Sequence, residues 1–327
     1  MEPTRRLLLA AALPLAALPL AALPLAARAE AWPARPVRLL TGFAPGGPMD
    51  IVGRLMAGWL GGVLGQPVLV ENRPGAGGNL ATEAVAQAAP DGHVLLLCGP
   101  VNAINMALYP QLPFDFGRDI APVAGIARVP LVMLVHPGVP AATAAELIAL
   151  ARARPGQLAM ASSGNGTPQH LAGALFQQAS GAALLHVPYR GSGPALADLV
   201  AGRVQVMFDA LPSAIGHVRG GRLQALAVTT AEPAGALPEL PTLAATLPGY
   251  EASSWYAIGA PRGTPAETVA RLNQAVGAGL ADPGVAARLA ELGATPMPLP
   301  PAELGDLFAA ELARWGRVIR EARITLD

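Results

Sequence analysis

The sequence contains no lysine, so all 22 of its basic side chains are guanidiniums, balanced by 22 Asp and Glu to a formal net charge of zero. Without clustered cations it lacks the electrostatic footprint that holds phosphate backbones, and nucleic acid is not expected as a partner. The missing lysine also rules out a Walker-type phosphate loop. Cys98 is the single cysteine, which excludes an internal disulfide framework and a multi-cysteine metal site. His93, His136, His170, His186 and His217 form no H-E-x-x-H and no close pair, so neither a metal nor a cofactor is expected. Charged residues make up 13% and aromatics 4%, against 52% hydrophobic. That is too apolar for a disordered chain, and 327 residues are enough for two domains.

The N-terminus reads as a leader. Arg5 and Arg6 precede an apolar run from Leu7 to Ala27, and Ala27-Arg28-Ala29 is a small-residue cleavage site ahead of Glu30. Pro14, Pro19 and Pro24 interrupt the run, which disfavours a membrane-spanning helix. Cleavage after Ala29 would leave an exported, periplasmic protein, and the arginine pair leaves Sec and twin-arginine export both open.

After the leader, apolar strand-like runs alternate with helical patterns. Strands are expected at Val37 to Thr41, Val68 to Glu71 and Val94 to Cys98, with helices at Ile51 to Leu64 and Leu80 to Ala88 between them. Such a βαβαβ pattern implies a parallel sheet covered on both faces. Cys98 at a strand end is expected to be a core thiol. Further strands are expected at Leu131 to Val135, Leu158 to Ala161, Leu184 to Val187, Val204 to Phe208, Leu223 to Val228 and Trp255 to Gly259. Helices are expected at Ala144 to Arg152, Pro168 to Ala179, Pro194 to Ala201, Pro265 to Leu280, Gly284 to Leu292 and Pro301 to Ala322. The proline-rich stretch from Glu232 to Gly249 reads as a surface connection.

In open α/β sheets, ligands bind beyond the carboxyl ends of strands, where helix N-termini present unpaired N–H groups. Two loops fit. Phe43-Ala44-Pro45-Gly46-Gly47-Pro48-Met49-Asp50 has paired glycines, a proline suited to the first helical position and an acid in the first turn. Ser162-Ser163-Gly164-Asn165-Gly166-Thr167-Pro168-Gln169-His170 offers Thr167 as an N-cap and several small polar groups. One loop per lobe would grip an anion between them. The competing reading is ordinary helix initiation, because Ser192-Gly193-Pro194 and Thr264-Pro265 show the same cap-then-proline design. Gly75 to Leu80 lacks the small residue that a dinucleotide loop requires. Asp209, at a strand end, suits a pocket or a cap equally. Ser163 with His170 forms the only conceivable hydrolytic couple, but no G-x-S-x-G elbow is present.

At these loops the sequence resembles the tripartite tricarboxylate transporter receptors, or Bug-type periplasmic solute-binding proteins. The resemblance is carried in order by Trp32-Pro-Ala-Arg-Pro-Val-Arg38, Pro45-Gly-Gly-Pro-Met-Asp50, Asn72-Arg-Pro-Gly-Ala-Gly-Gly78, Pro90-Asp-Gly92, His186-Val-Pro-Tyr-Arg-Gly191, Pro241-Thr242, Trp255-Tyr256 and Gly263-Thr-Pro265. It implies a type II-like, two-lobed periplasmic-binding-protein fold in which each lobe is a mostly parallel sheet flanked by helices and two crossing strands form the hinge. Residues 30–129 and 253–327 would form one lobe and 130–252 the other. It implies a monomer without catalysis that captures a small carboxylate and delivers it to a membrane permease. The ligand would meet Phe43, Ala44, Pro45, Gly46, Gly47, Pro48 and Asp50 from the first loop, and Ser162, Ser163, Gly164, Gly166, Thr167 and His170 from the second. Asn79, Tyr189 and Asp209 complete the candidate set. A dicarboxylate, an aromatic acid and an amino acid all remain open as solute. An exported serine hydrolase, a solute sensor without a permease and a scaffolding domain are the alternatives.

Overall fold

A computed structural model describes residues 32–322; the expected leader lies outside the described residues. The first half follows the expected βαβαβ pattern: β1 (Val37–Thr41), α1 (Pro48–Leu64), β2 (Val68–Asn72), α2 (Asn79–Ala86) and β3 (Val94–Cys98). Strand β1 lies between β2 and β3, parallel to both. Helix α1 begins on Pro48 after an extended Gly47 and stops where Gly65 turns left-handed at φ 73°, a conformation in which a Cβ is penalised. Cys98 is buried with its thiol donating to the Ala257 carbonyl at 3.3 Å, and burial pushes that thiol well above its ordinary value. It is the core residue the sequence suggested.

Several elements depart from the sequence reading. Helix α3 (Pro100–Leu108) is amphipathic with polar residues inward: Asn102 and Asn105 are buried, which breaks the apolar periodicity. Asn102 accepts from the Gly99 N–H at 2.9 Å and donates to Thr82 at 2.8 Å. After the short helix α4 (Phe116–Asp119), the strand expected at Leu131 to Val135 is the last third of a sixteen-residue strand, β4 (Ile120–Val135). Pro122 and Pro130 lie within it: the ladder shifts register beside Pro122 and changes partners after Pro130. Helix α8 (Leu211–Arg219) was also missed, although Leu211, Ala214, Ile215 and Val218 recur at helical spacing.

The change of partners within β4 organises the molecule. Its Ile120 to Pro130 stretch runs antiparallel to β9 (Ser253–Pro261), which also pairs β3. From Leu131 onward it pairs β7 (Val206–Ala210) and β8 (Gln224–Val228). The second half repeats the parallel theme. Helix α5 (Ala144–Ala153), capped by Thr143, precedes β5 (Ala159–Ser162), α6 (Pro168–Ser180), β6 (Leu185–Pro188) and α7 (Ser192–Val200), and β5 pairs β6 and β7 in parallel. The chain then returns to the first half through β9, α9 (Ala266–Ala281), α10 (Pro283–Glu291), β10 (Thr295–Pro296) and α11 (Pro301–Ala322). Along α11, Leu304, Phe308, Trp315 and Ile319 form a buried stripe at helical spacing, and Trp315 and Ile319 cluster with Ile104 and Leu108 of α3. No helix among the described residues is long and apolar enough to cross a membrane.

Candidate functional site

The carboxyl ends of the parallel strands of both halves face one another across a small cavity. Four helices begin on it. Gly47 and Pro48 start α1, Pro100 and Val101 start α3, Thr167 and Pro168 start α6, and Ser192 starts α7. Phe43 and Met49 of the first half, Ser163 and Gln169 of the second, and Ser254 and Tyr256 of β9 complete the wall. No charged side chain lines it among the described residues. The first-turn N–H groups of a helix lack intrahelical acceptors and carry its positive dipole end, so four convergent starts make a site for an anion without a cation.

The two expected loops are therefore brought together. Of the candidates, Phe43, Gly47, Pro48, Ser163 and Thr167 line the cavity. Thr167 caps α6, its hydroxyl accepting from His170 N at 3.3 Å and donating to Gly164 O at 2.7 Å. Ala44, Pro45 and Gly46 form the rim instead: the Ala44 N–H donates to Arg190 O at 3.0 Å across the cleft, and a Cβ on Gly193 would stand 2.5 Å from Pro45 O. Gly164 and Tyr189 line a separate groove beside it, and the Tyr189 hydroxyl turns away to donate to Asp198 at 2.8 Å.

Other candidates serve the framework. Asp50 is buried and faces its own loop, accepting from Gly46 N at 3.0 Å, Asn72 Nδ2 at 2.9 Å and Arg54 Nε at 3.0 Å. Burial pushes its carboxyl up, but those donors outweigh it and hold it below the usual range. Asn79 accepts from Asn105 Nδ2 at 2.8 Å and braces α3. Ser162 Oγ sits 2.7 Å from His186 Nε2, and the Gly166 N–H donates to His170 Nδ1 at 3.2 Å. Ser163 Oγ pairs with Ser192 Oγ at 2.7 Å, so the Ser163 and His170 couple of a hydrolase is not formed. Asp209 lies behind the wall, fully buried, and accepts from Ser192 Oγ at 2.5 Å; burial pushes its carboxyl up to about 6, against the hydrogen bonds of Ser192 and Ser213.

The candidate set missed Met49, Pro100, Val101, Pro168, Gln169, Ser192, Ser254 and Tyr256 as wall residues. For α3 a signal existed: Gly99-Pro100 follows a buried strand as Gly47-Pro48 does. Ser192 was read as a helix cap, but Gly191 is the cap and Ser192 the first helical residue, which frees its hydroxyl to turn inward. Thr264-Pro265 also differs from the expected design, because Pro265 itself is the N-cap residue of α9.

His170 stacks on His186 with centroids 4.2 Å apart. Burial, with a contribution from His186, pulls His170 down to about 4, and burial lowers His186 as well. The unfolded imidazole binds its proton near 6.5 and the folded one near 4, so stability present above pH 6.5 is lost as the pH falls through this window. Asp209 acts with the opposite sign between about 6 and 3.8, where the folded state holds the extra proton. The comparison with His170→Gln isolates the imidazole: urea unfolding at several pH values from 7 to 4 should show a shallower acid loss in the variant. Equal slopes would mean that His170 titrates normally.

The family described as tripartite tricarboxylate transporter family receptor matches residues 52–324. The chain is 38% identical to Protein BugT of Bordetella pertussis, over 90% of this chain and 91% of that relative. Among solved structures it is similar to Rpa4515 of R. palustris with adipate, at 40% identity and TM-score 0.87, covering 90% of this chain and 99% of the other. MatC (Rpa3494) of Rhodopseudomonas palustris with bound malate shows 35% identity and TM-score 0.84, over 88% and 100% of the two chains. The family signature, the two facing halves and the cavity ringed by helix starts agree, and the chain belongs to the tripartite tricarboxylate transporter receptor family.

Proposed function

We propose that the protein is a periplasmic receptor that captures a small carboxylated solute in the cavity between its halves and hands it to a tripartite tricarboxylate-type membrane transporter. The observation that carries this reading is the convergence of four helix N-termini on a cavity with no charged lining residue. An anion there is held by oriented backbone dipoles, without catalysis. The relatives with adipate and malate support small carboxylic acids as the class. Residues 30–129 with 253–327, and 130–252, move as the two lobes, because β4 changes partners at Pro130 and the return crossing precedes β9. The leader, cleaved after Ala29, sends the protein out, and it works as a monomer.

The test is native mass spectrometry of the purified protein followed by a thermal-shift panel of aliphatic dicarboxylates, hydroxy acids, aromatic acids and amino acids. A ligand at 100 times its Kd should stabilise the folded state by about 2.7 kcal/mol. Gly47→Leu should abolish the shift and leave the ligand-free melting temperature in place, because Gly47 has an ordinary φ of −79° and a Cβ there meets nothing closer than 3.5 Å. A panel in which no carboxylate raises the melting temperature would overturn the reading.

A further inference from the structure

Behind the cavity wall runs a hydrogen-bond chain whose direction is fixed. Asp209 Oδ1 accepts from Ser192 Oγ at 2.5 Å and from Gln169 Nε2 at 3.4 Å, and its Oδ2 accepts from Ser213 Oγ at 2.6 Å. Ser192 Oγ lies 2.7 Å from Ser163 Oγ, which lines the cavity. A serine hydroxyl has one proton and a carboxylate only accepts, so the Ser192 proton is committed to Asp209. Protonation of Asp209 does not reverse this. Oδ1 faces two donors, whereas at Oδ2 the Ser213 hydroxyl has an alternative acceptor in Ala210 O at 3.0 Å, so an added proton sits on Oδ2. Ser163 must therefore donate to Ser192, and it turns only lone pairs toward the cavity. Two neighbouring polar side chains of the second half reinforce this polarity: the Thr167 proton is spent on Gly164 O, and the Gln169 amide nitrogen faces Asp209.

We propose that Ser163, oriented by Ser192 and Asp209, is a hydrogen-bond acceptor that selects acids bearing a hydroxyl or ammonium group beside the carboxylate and rejects their oxo counterparts. This rests on the receptor reading and deepens it. An oxo oxygen placed against Ser163 would leave two acceptors facing each other in a buried site, each without a donor. Ser163 is the contact residue; Ser192 and Asp209 position it.

The experiment is isothermal titration of the purified protein with matched pairs of three lengths: lactate and pyruvate, 2-hydroxybutyrate and 2-oxobutyrate, 2-hydroxyglutarate and 2-oxoglutarate. The hydroxy acid of the pair that fits should bind at least about tenfold tighter. Asp209→Asn should keep its amide oxygen toward Ser192 and Gln169 and turn its amide nitrogen toward Ser213, whose hydroxyl can donate to Ala210 O instead, so the Ser192 proton stays committed and the preference should persist. Ser163→Ala should abolish the preference without inverting it. Should Asp209→Asn fail to fold, Ser163→Ala decides alone. Oxo acids bound as tightly as hydroxy acids by the wild type, or a tenfold preference surviving in Ser163→Ala, would overturn the proposal and leave the receptor reading standing. If neither these acids nor any other carboxylate binds, the receptor reading falls and takes the proposal with it.

Discussion

Gly193→Ala is expected to leave the melting temperature of the ligand-free protein nearly unchanged while weakening solute binding at least tenfold. The two effects have separate causes. Gly193 is in the first turn of α7, with no positive φ; the gain of about 0.4–1 kcal/mol that alanine brings through the unfolded chain is offset by the crowding of its Cβ against the following Pro194. The added Cβ, however, would stand 2.5 Å from Pro45 O, a distance that carbon and oxygen do not tolerate. Pro45 belongs to the opposite half, so the clash exists only while the rims meet and vanishes when they part. The same separation breaks the hydrogen bond from Ala44 N to Arg190 O. If the solute binds the closed arrangement, apparent affinity falls in proportion to the population of that arrangement. Calorimetric melting without ligand, paired with titration of whichever acid binds the wild type, reads both effects. Unchanged affinity would show that the meeting of these rims is no part of the bound state.

Phe208→Ala is expected to cost about 3–5 kcal/mol, a large share of the roughly 5–15 kcal/mol that keeps a domain folded. Strand β7 alternates: Val206, Phe208 and Ala210 point to one core, and Met207 joins the other, on the side where Asp209 meets the wall. Phe208 is fully buried and packs on Phe176 of α6 with ring centroids 5.5 Å apart. That contact ties the helix whose start forms part of the cavity to the strand that carries Asp209. Removing the ring leaves a void that close-packed neighbours cannot fill, and the melting temperature should fall by about 10 °C at ~2–4 °C per kcal/mol for a chain near this size. Phe208→Leu should fall between. A loss under 1 kcal/mol for the alanine variant would mean that this core collapses around the gap.

The sequence revealed much of this architecture because its parallel strands are continuous apolar runs and its helices begin on Pro48 and Pro168, signals set by local backbone chemistry. Both loops of the site were legible for the same reason. What it concealed was set by tertiary pairing. The inward amides Asn102 and Asn105 disguised α3, and two prolines disguised the full span of β4. Ser192 looked like a cap because a serine before Gly-Pro is usually one; its real partner, Asp209, is 17 residues away. Asp50 invited assignment to the ligand by lying in the right loop, and only Arg54 and Asn72 show that its charge is already spent.

The return of the chain through β9 and α11 has a consequence for the order in which the protein comes into being. Strand β3 must wait for Ala257 and Ile258 to pair its outer edge, and the cluster that Ile104 and Leu108 of α3 form with Leu171 of α6 stays incomplete until Trp315 and Ile319 arrive. The second half is an insertion completed earlier in synthesis than the half that opens the chain. A nascent polypeptide thus holds β1 to α3 unfinished until α11 has been made, and contacts of such long sequence separation are slow to form.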